Sequence, residues 1–253
     1  MALGSLLILK LMKILAHIFL ILLFVAGGLK DVYSQNSFGI EFGHNWKNVS
    51  GRVYEFDSIR VIPDIGGEVG EGFGGLFYEY QVSKRVSIHN KLNYGYRFSQ
   101  YESYNKETSC RFCPVSTYKS VRTNTLSFEF LPQVSLVKTT NFKLNLFGGI
   151  NAALNFELNQ EQVTIENQPG LSEVFNSLNN VIKPVSFGLA YGASIEIWRI
   201  LFWAKVNPPA RFTNSIEIYD QEYDFDNSWG FVSFSVGYKF YSLKRKKNSR
   251  VEN

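Results

Sequence analysis

Between Ser37 and Phe240 the sequence alternates apolar and polar residues in eight separate runs. In the clearest run, Tyr94 and Tyr96 alternate with Asn93 and Gly95. A period of two is typical of a β-strand whose two faces meet different surroundings. An even number of such strands can close into a ring without free edges. The pattern predicts an all-β fold, an eight-stranded antiparallel up-and-down β-barrel.

The connections between these runs are long and short in turn. The first, third, fifth and seventh connections, at about 47–73, 99–123, 157–184 and 208–229, each span about 25 residues. The others are only a few residues long. Long extracellular loops with short periplasmic turns are typical of outer-membrane barrels, in which both chain ends are periplasmic. We therefore expect a transmembrane barrel in the outer membrane.

The same alternation would suit a soluble, lipocalin-like barrel with its apolar face inside. The chain contains 22 Phe, 14 Tyr and 4 Trp, and eight strands enclose an interior just wide enough for ordinary side chains. That interior would not hold the large residues of the apolar face. The opposite face is rich in Gly, Ser and Asn, which suits a narrow, filled lumen. The apolar face is therefore predicted to contact lipid.

The amino-terminal segment resembles an export signal. Lys10 and Lys13 precede an apolar stretch at 14–27, and Ser34 provides a small residue before Gln35. This order predicts a cleaved signal peptide over residues 1–34. The alternative is an uncleaved anchor helix at about 6–25, and Met12 is an alternative start to Met1.

Charge is concentrated at the carboxyl end. Removing residues 1–34 takes three lysines and one aspartate from the 26 basic and 22 acidic residues, which leaves 23 and 21. Residues 241–253 hold five of those basic residues, so the remainder is close to neutral. That balance argues against a nucleic-acid partner bound on a basic face. We predict a barrel over 35–240 and a basic periplasmic tail over 241–253.

Three segments carry a resemblance to a known group: Ser34-Gln35, the stretch 126–132 (LSFEFLP) and the stretch 236–240 (VGYKF). The chain resembles the small outer-membrane β-barrel proteins of Bacteroidota, the PorT-like group within the OmpA/OmpX-type eight-stranded barrels. The resemblance implies an outer-membrane location, contact with outer-membrane lipid and partners in a secretion or assembly complex. The thirteen residues after Phe240 depart from it.

The inward face carries ionisable residues of both signs. Acidic residues lie on runs one, two, four and six, and basic residues on the other four. Buried charges persist only when they are paired, so we predict an ionic network that fills the lumen, with a proton or ion path as the alternative. Its members are Glu41, Glu79, Glu129, Glu196, Lys91, Arg97, Lys143, Lys205 and Lys239.

Candidates for catalysis, metals and cofactors are few. After residue 34 the histidines are His44, expected beside Trp46 at the membrane interface, and His89, expected to face inward. Neither is followed two residues later by the serine that a resemblance to lipid A deacylase barrels would require. Cys110 and Cys113 form one C-x-x-C pair, whereas zinc takes four ligands, so a small loop disulfide is predicted. We expect no enzyme, no cofactor and no metal centre.

The loops add three weaker signals. Alternating carboxylates, Asp220 to Asp226, predict a solvated acidic edge, with a Ca²⁺ site as the alternative. Apolar residues at helical spacing after Pro169-Gly170 predict a short amphipathic helix that packs on the rim or binds a partner: Leu171, Val174, Phe175, Leu178 and Ile182. Asp57-Ser58-Ile59 resembles the O-glycosylation acceptor pattern of Bacteroidota.

Three classes of function are compatible with these features. We favour a non-enzymatic outer-membrane barrel that acts through its surface loops or periplasmic ends, in surface interaction, envelope integrity or a secretion or assembly complex. A small pore is disfavoured because side chains fill an eight-stranded barrel. A lipid-modifying enzyme is the third class.

Overall fold

The computed structural model describes residues 36–56, 59–63, 71–105, 117–157, 164, 169–218 and 220–243. Twelve strands lie in this part of the chain. In chain order they are β1 (Asn36–Ser50), β2 (Tyr54–Phe56), β3 (Ile59–Pro63), β4 (Glu71–Gln81), β5 (Val86–Asn105), β6 (Thr117–Lys138), β7 (Phe142–Glu157), β8 (Val185–Ile197), β9 (Ile200–Arg211), β10 (Ser215–Ile218), β11 (Gln221–Asp224) and β12 (Ser228–Leu243).

Eight of these strands form a closed antiparallel barrel, as the alternation predicts. The ring runs β1-β4-β5-β6-β7-β8-β9-β12, and β12 pairs with β1 to close it. Short turns join β4 to β5, β6 to β7 and β8 to β9 at the periplasmic end. Among the described residues, no helix has the length and apolarity that crossing a membrane requires.

The two faces of the barrel wall differ as predicted. In β1 the outward-facing Phe42 is 65% exposed, whereas Glu41 beside it is fully buried. The same holds at most wall positions around the ring, where large apolar side chains face out and polar or charged ones face in. An inward-facing group of six buried apolar residues is the exception. A closed ring satisfies every backbone group inside the wall, which is what permits strands in lipid. The outward face is therefore the lipid-contacting surface.

The strands are longer than predicted, and the predicted loop bounds are wrong. β5 runs on to Asn105 and β6 starts at Thr117, while the last strand ends at Leu243 rather than at Phe240. The outward-apolar pattern ends before these strands do. Tyr101 and Val121 keep the inward parity of their strands but are apolar and buried, because the interior beyond the membrane is a hydrophobic core.

That core belongs to a folded unit at the extracellular end, which we call the cap. It consists of β2 and β3, helix α1 (Pro169–Ser177) with the 3₁₀ turn that follows it, the β10–β11 hairpin and the outer ends of the barrel strands. β3 pairs with the extension of β5, and β2 pairs with β3. The predicted amphipathic helix is confirmed, and its apolar face is buried in the cap core.

Candidate functional site: a filled lumen under an extracellular cap

The periplasmic half of the lumen holds a cluster of four alternating charges. Lys239 lies between Glu79, to which it donates a hydrogen bond, and Glu196, at 2.6 Å from Nζ to Oε2. Lys143 contacts the same Glu196 at 3.0 Å. The Ser37 hydroxyl donates to Glu79 Oε2 at 2.9 Å. Each carboxylate of the cluster therefore has a cation beside it. This pairing avoids the cost of burying a charge without a counter-ion.

Above this cluster lies a layer of apolar side chains that sequence reasoning missed. Phe77 and Trp203 pack edge to face, with ring centroids 5.3 Å apart, and the layer also includes Leu131, Phe147, Ala190 and Leu201. Gly237 makes room for it, because a Cβ there would collide with the Trp203 indole. The sequence signal that could have revealed this layer is strand parity, because Phe77 lies on the same inward face of β4 as Glu79.

The extracellular half of the lumen holds two further ion pairs. Lys91 Nζ lies 2.7 Å from Glu41 Oε2 and 3.7 Å from the centre of the Trp203 ring. Lys205 donates to Glu129, and Asn151 Nδ2 donates to the same Glu129 oxygen at 3.0 Å. The lumen therefore alternates ionic, apolar and ionic layers along its axis.

Arg97 is the one predicted network residue that the structure places differently. Within the described part of the chain, no carboxylate lies within 4.0 Å of its guanidinium; it sits instead over the rings of Trp229 and Phe231, at 5.2 and 5.1 Å. Arg97 does not reach the carboxylates predicted for it because it lies above the charged layers, beside the cap. The acidic group that acts on its charge is Glu71, from beyond 4.0 Å. Sequence reasoning also missed Lys47 and Glu71, which form an ion pair at 4.0 Å. Both lie on inward parity, just beyond the predicted strand ends.

The remaining sequence-predicted residues do not gather into one centre. His44 lies edge to face with Trp46, at 4.6 Å between ring centroids. His89 is buried, stacks on Phe77 and has Nε2 3.4 Å from Glu79. Cys110, Cys113, Asp57 and Ser58 lie outside the described residues, as do residues 1–35 and the tail after Leu243.

The acidic loop forms the β10–β11 hairpin and the turn after it. Arg211 pairs with Asp224 and, at 3.9 Å, with Asp226. Within the described residues, no group of three or more His, Cys, Asp or Glu side chains converges as a metal site would require. The hairpin and its turn form an acidic edge whose carboxylates pair with Arg211.

Aromatic residues hold the cap together. Phe225 stacks on Tyr54, with centroids 4.0 Å apart at 14°, and Phe212 stacks on Trp229. Burial raises the pKa of the Tyr54 and Tyr101 hydroxyls, because a phenolate is poorly solvated there. The Tyr54 hydroxyl also accepts a hydrogen bond from the Asp226 amide at 2.6 Å, which ties β2 to the acidic turn.

This closed barrel belongs to a known family. The family model for the outer membrane protein beta-barrel domain matches residues 33–219, so the chain is a member of that family and an outer-membrane protein. Among curated proteins, none matches the chain.

Solved structures with a similar fold are distant in sequence. OprG from Pseudomonas aeruginosa is 13% identical, with 82% of this chain and 96% of that chain covered and a TM-score of 0.45. AlkL, solved in DMPC lipid bilayers, is 11% identical, with 86% and 96% covered and a TM-score of 0.45. Ail of Yersinia pestis, the attachment invasion locus protein, is 11% identical, with 82% and 100% covered and a TM-score of 0.37.

Proposed function

We propose that this protein is a non-enzymatic outer-membrane barrel that acts through its extracellular cap, as a surface for binding another molecule. The observation that carries the proposal is the cap itself. Its core residues are almost fully buried, so the outer loops form a folded unit. A surface ordered before binding loses less conformational entropy on association than a flexible loop does. The lumen beneath it is filled and offers support rather than a passage.

The finer assignment follows from the sequence. The likeness to PorT-like barrels of Bacteroidota supports a role in envelope integrity or as a subunit of a secretion or assembly complex. In such a role the periplasmic ends would also contact partners. Export by cleavage near Ser34 and a basic periplasmic tail belong to the same proposal.

Site-specific photo-crosslinking in intact cells tests which end of the barrel carries the function. A photoreactive residue at the exposed cap positions Glu217 or Glu222 is expected to give a discrete adduct that free purified protein competes away. The matched control is the lipid-facing Phe202, which should give no protein adduct. Adducts from the periplasmic-turn positions Lys84 or Arg199, with none from the cap, would contradict the proposal.

The pore alternative makes a separate prediction. We expect the purified protein to show no stepwise single-channel conductance in planar bilayers, because the Phe77–Trp203 layer fills the lumen between the two ionic layers. A variant lacking the β10–β11 hairpin should be equally silent, since that layer lies below the cap. Regular conductance steps from the wild-type protein would instead establish a pore.

A further inference from the structure

The periplasmic end of the barrel carries a surplus of positive charge. Below the Phe77–Trp203 layer, the described part of the chain holds six cations against two carboxylates, Glu79 and Glu196. The cations are Lys84, Arg85, Lys138, Lys143, Arg199 and Lys239. Lys143 and Lys239 balance the two carboxylates inside the lumen. Four positive charges therefore remain at the periplasmic turns.

Contacts between the three turns join them into one rim. Lys138 Nζ reaches from the end of β6 to the Lys84 carbonyl in the β4–β5 turn, at 2.9 Å. The Trp198 amide donates to the Asn141 carbonyl at 2.8 Å, which links the β8–β9 turn to the β6–β7 turn. The turns are four, three and two residues long, so the rim is flat.

The cations of this rim surround the opening of the lumen. Arg85 and Arg199 each stand two residues before a buried, inward-facing residue of the following strand, so strand parity places them on the inward side. Lys138 donates to the inward-facing Gln81 side chain at 3.3 Å. The outward positions beside them are apolar and exposed: Val86, Val137 and Trp198. Lipid therefore contacts these apolar residues, while the cations face the periplasm.

We call Arg85, Lys138 and Arg199 the basic mouth, and the barrel does not neutralise it. Both hydrogen-bond acceptors of Lys138 are uncharged. The two lumen carboxylates act on its charge from a distance, and the two lumen lysines act on it with the opposite sign. Arg85 and Arg199 form no ion pair within the described part of the chain. The mouth therefore attracts anionic groups.

The rest of this chain does not supply such a group. Residues 244–253 follow β12 at the same end and hold five basic residues and one acidic residue. Residues 1–35 hold three lysines and one aspartate. A second copy in the same membrane would present the same cations and be repelled. The anionic group therefore has to come from a different molecule in the periplasm.

We propose that the basic mouth docks an acidic peptide segment of a periplasmic partner. Its Asp or Glu carboxylates pair with Arg85, Lys138 and Arg199, since a planar guanidinium fits a carboxylate by two parallel hydrogen bonds. An eight-stranded barrel is narrow, so its end face offers less than the roughly 800 Å² per partner of a standard interface. A short extended segment across the flat rim suits that area. This surface lies at the opposite end from the cap and does not depend on the role proposed there.

The test uses the protein purified from outer membranes and placed in phosphatidylcholine nanodiscs. The probe is a fluorescein-labelled peptide of alternating Glu and Ser, and its binding is followed by fluorescence anisotropy. We expect one saturable site per barrel at low salt, weakened as added salt screens the charges. Replacing the mouth by Arg85→Gln, Lys138→Gln and Arg199→Gln together should raise the Kd by about tenfold or more, because charge-assisted hydrogen bonds are lost.

A matched variant removes three cations at the other end of the barrel. Arg52→Gln, Arg122→Gln and Lys183→Gln together change the net charge equally and should bind the peptide as wild type does. Neutralising the basic residues of 244–253 with glutamine separates the tail from the mouth, and the mouth variant should weaken binding by the same factor in that background. If the combined mouth variant gives no heat-modifiable band on gels, the three single variants carry the test, each with a measurable loss.

Three results would overturn the proposal. The first is unchanged peptide affinity in a folded mouth variant. The second is complete loss of binding when the tail cations alone are neutralised. The third is a preference for phosphatidylglycerol over phosphatidylcholine that the mouth variant abolishes while the peptide does not bind, which would make the mouth a lipid site.

Discussion

Replacing Glu129 by alanine is expected to lower the free energy of unfolding of the barrel by about 3–5 kcal/mol. Glu129 is buried in the lumen and is the carboxylate that pairs with Lys205. Its removal leaves a cation in a low-dielectric interior without a counter-ion, which is the costly case for buried pairs. The measurement is urea unfolding in lipid vesicles, followed by tryptophan fluorescence.

Two further variants separate charge burial from simple loss of contacts. In Glu129→Ala/Lys205→Met both charges are gone, so most of the lost stability should return, because an apolar replacement of a buried pair is often neutral. Asp224→Ala removes a carboxylate whose side chain is 66% exposed, and exposed pairs contribute about 0–1 kcal/mol. Equal losses for Glu129→Ala and Asp224→Ala would mean that the inward and outward faces are assigned wrongly.

The second large effect is expected in the cap, with the barrel left intact. Phe225→Ala removes a fully buried ring that stacks on Tyr54 and packs near Phe56 and Tyr101, and such truncations cost about 3–5 kcal/mol. Because each 1.4 kcal/mol is a factor of ten, the open form of the cap should become at least a hundredfold more populated. Proteolysis of the extracellular loops from outside intact cells should accelerate accordingly.

The control for the cap is a phenylalanine that faces lipid. Phe234→Ala removes a ring that is half exposed on β12, and cap proteolysis should stay at the wild-type rate. Both variants should keep the shift in gel mobility between unheated and boiled samples that marks a closed barrel. A Phe225→Ala protein that loses this shift would show that cap and barrel unfold as one unit.

The barrel and its faces were predictable because lipid requires every strand to alternate apolar residues outward with polar residues inward. Outside the bilayer this alternation is no longer required. Apolar Tyr101 and Val121 therefore lie on the inward face of strand extensions that were expected to be loops. Strand β3 likewise depends on the long-range pairing of Ile59–Pro63 with β5, which a local pattern does not encode. Helix α1 was predictable because its apolar stripe is local.

The charged residues of the lumen could be identified from the sequence, but which of them pair with each other could not be predicted. Pairing depends on shear, which sets the height at which side chains on different strands meet. Lys239 thus reaches Glu79 and Glu196 from a strand that is adjacent to neither in the ring, and Arg97 lies too high for the same layers. The apolar layer was not predicted for a related reason. Apart from strand parity, nothing in the sequence around Trp203 shows whether its side chain faces the lumen or the lipid.

The pairing of β1 with β12 has a consequence for biogenesis. The first and last strands form one seam, paired from Asn36 opposite Leu243 to Ser50 opposite Ser228. Closure must therefore wait for β12 to arrive, and contacts of such high sequence separation are slow to form. The hydrogen bonds that Lys239 and Ser235 make to Glu79 and Glu41 join β12 to β4 and β1 inside the lumen. They form only as the seam shuts, so the last step of insertion also completes the lumen.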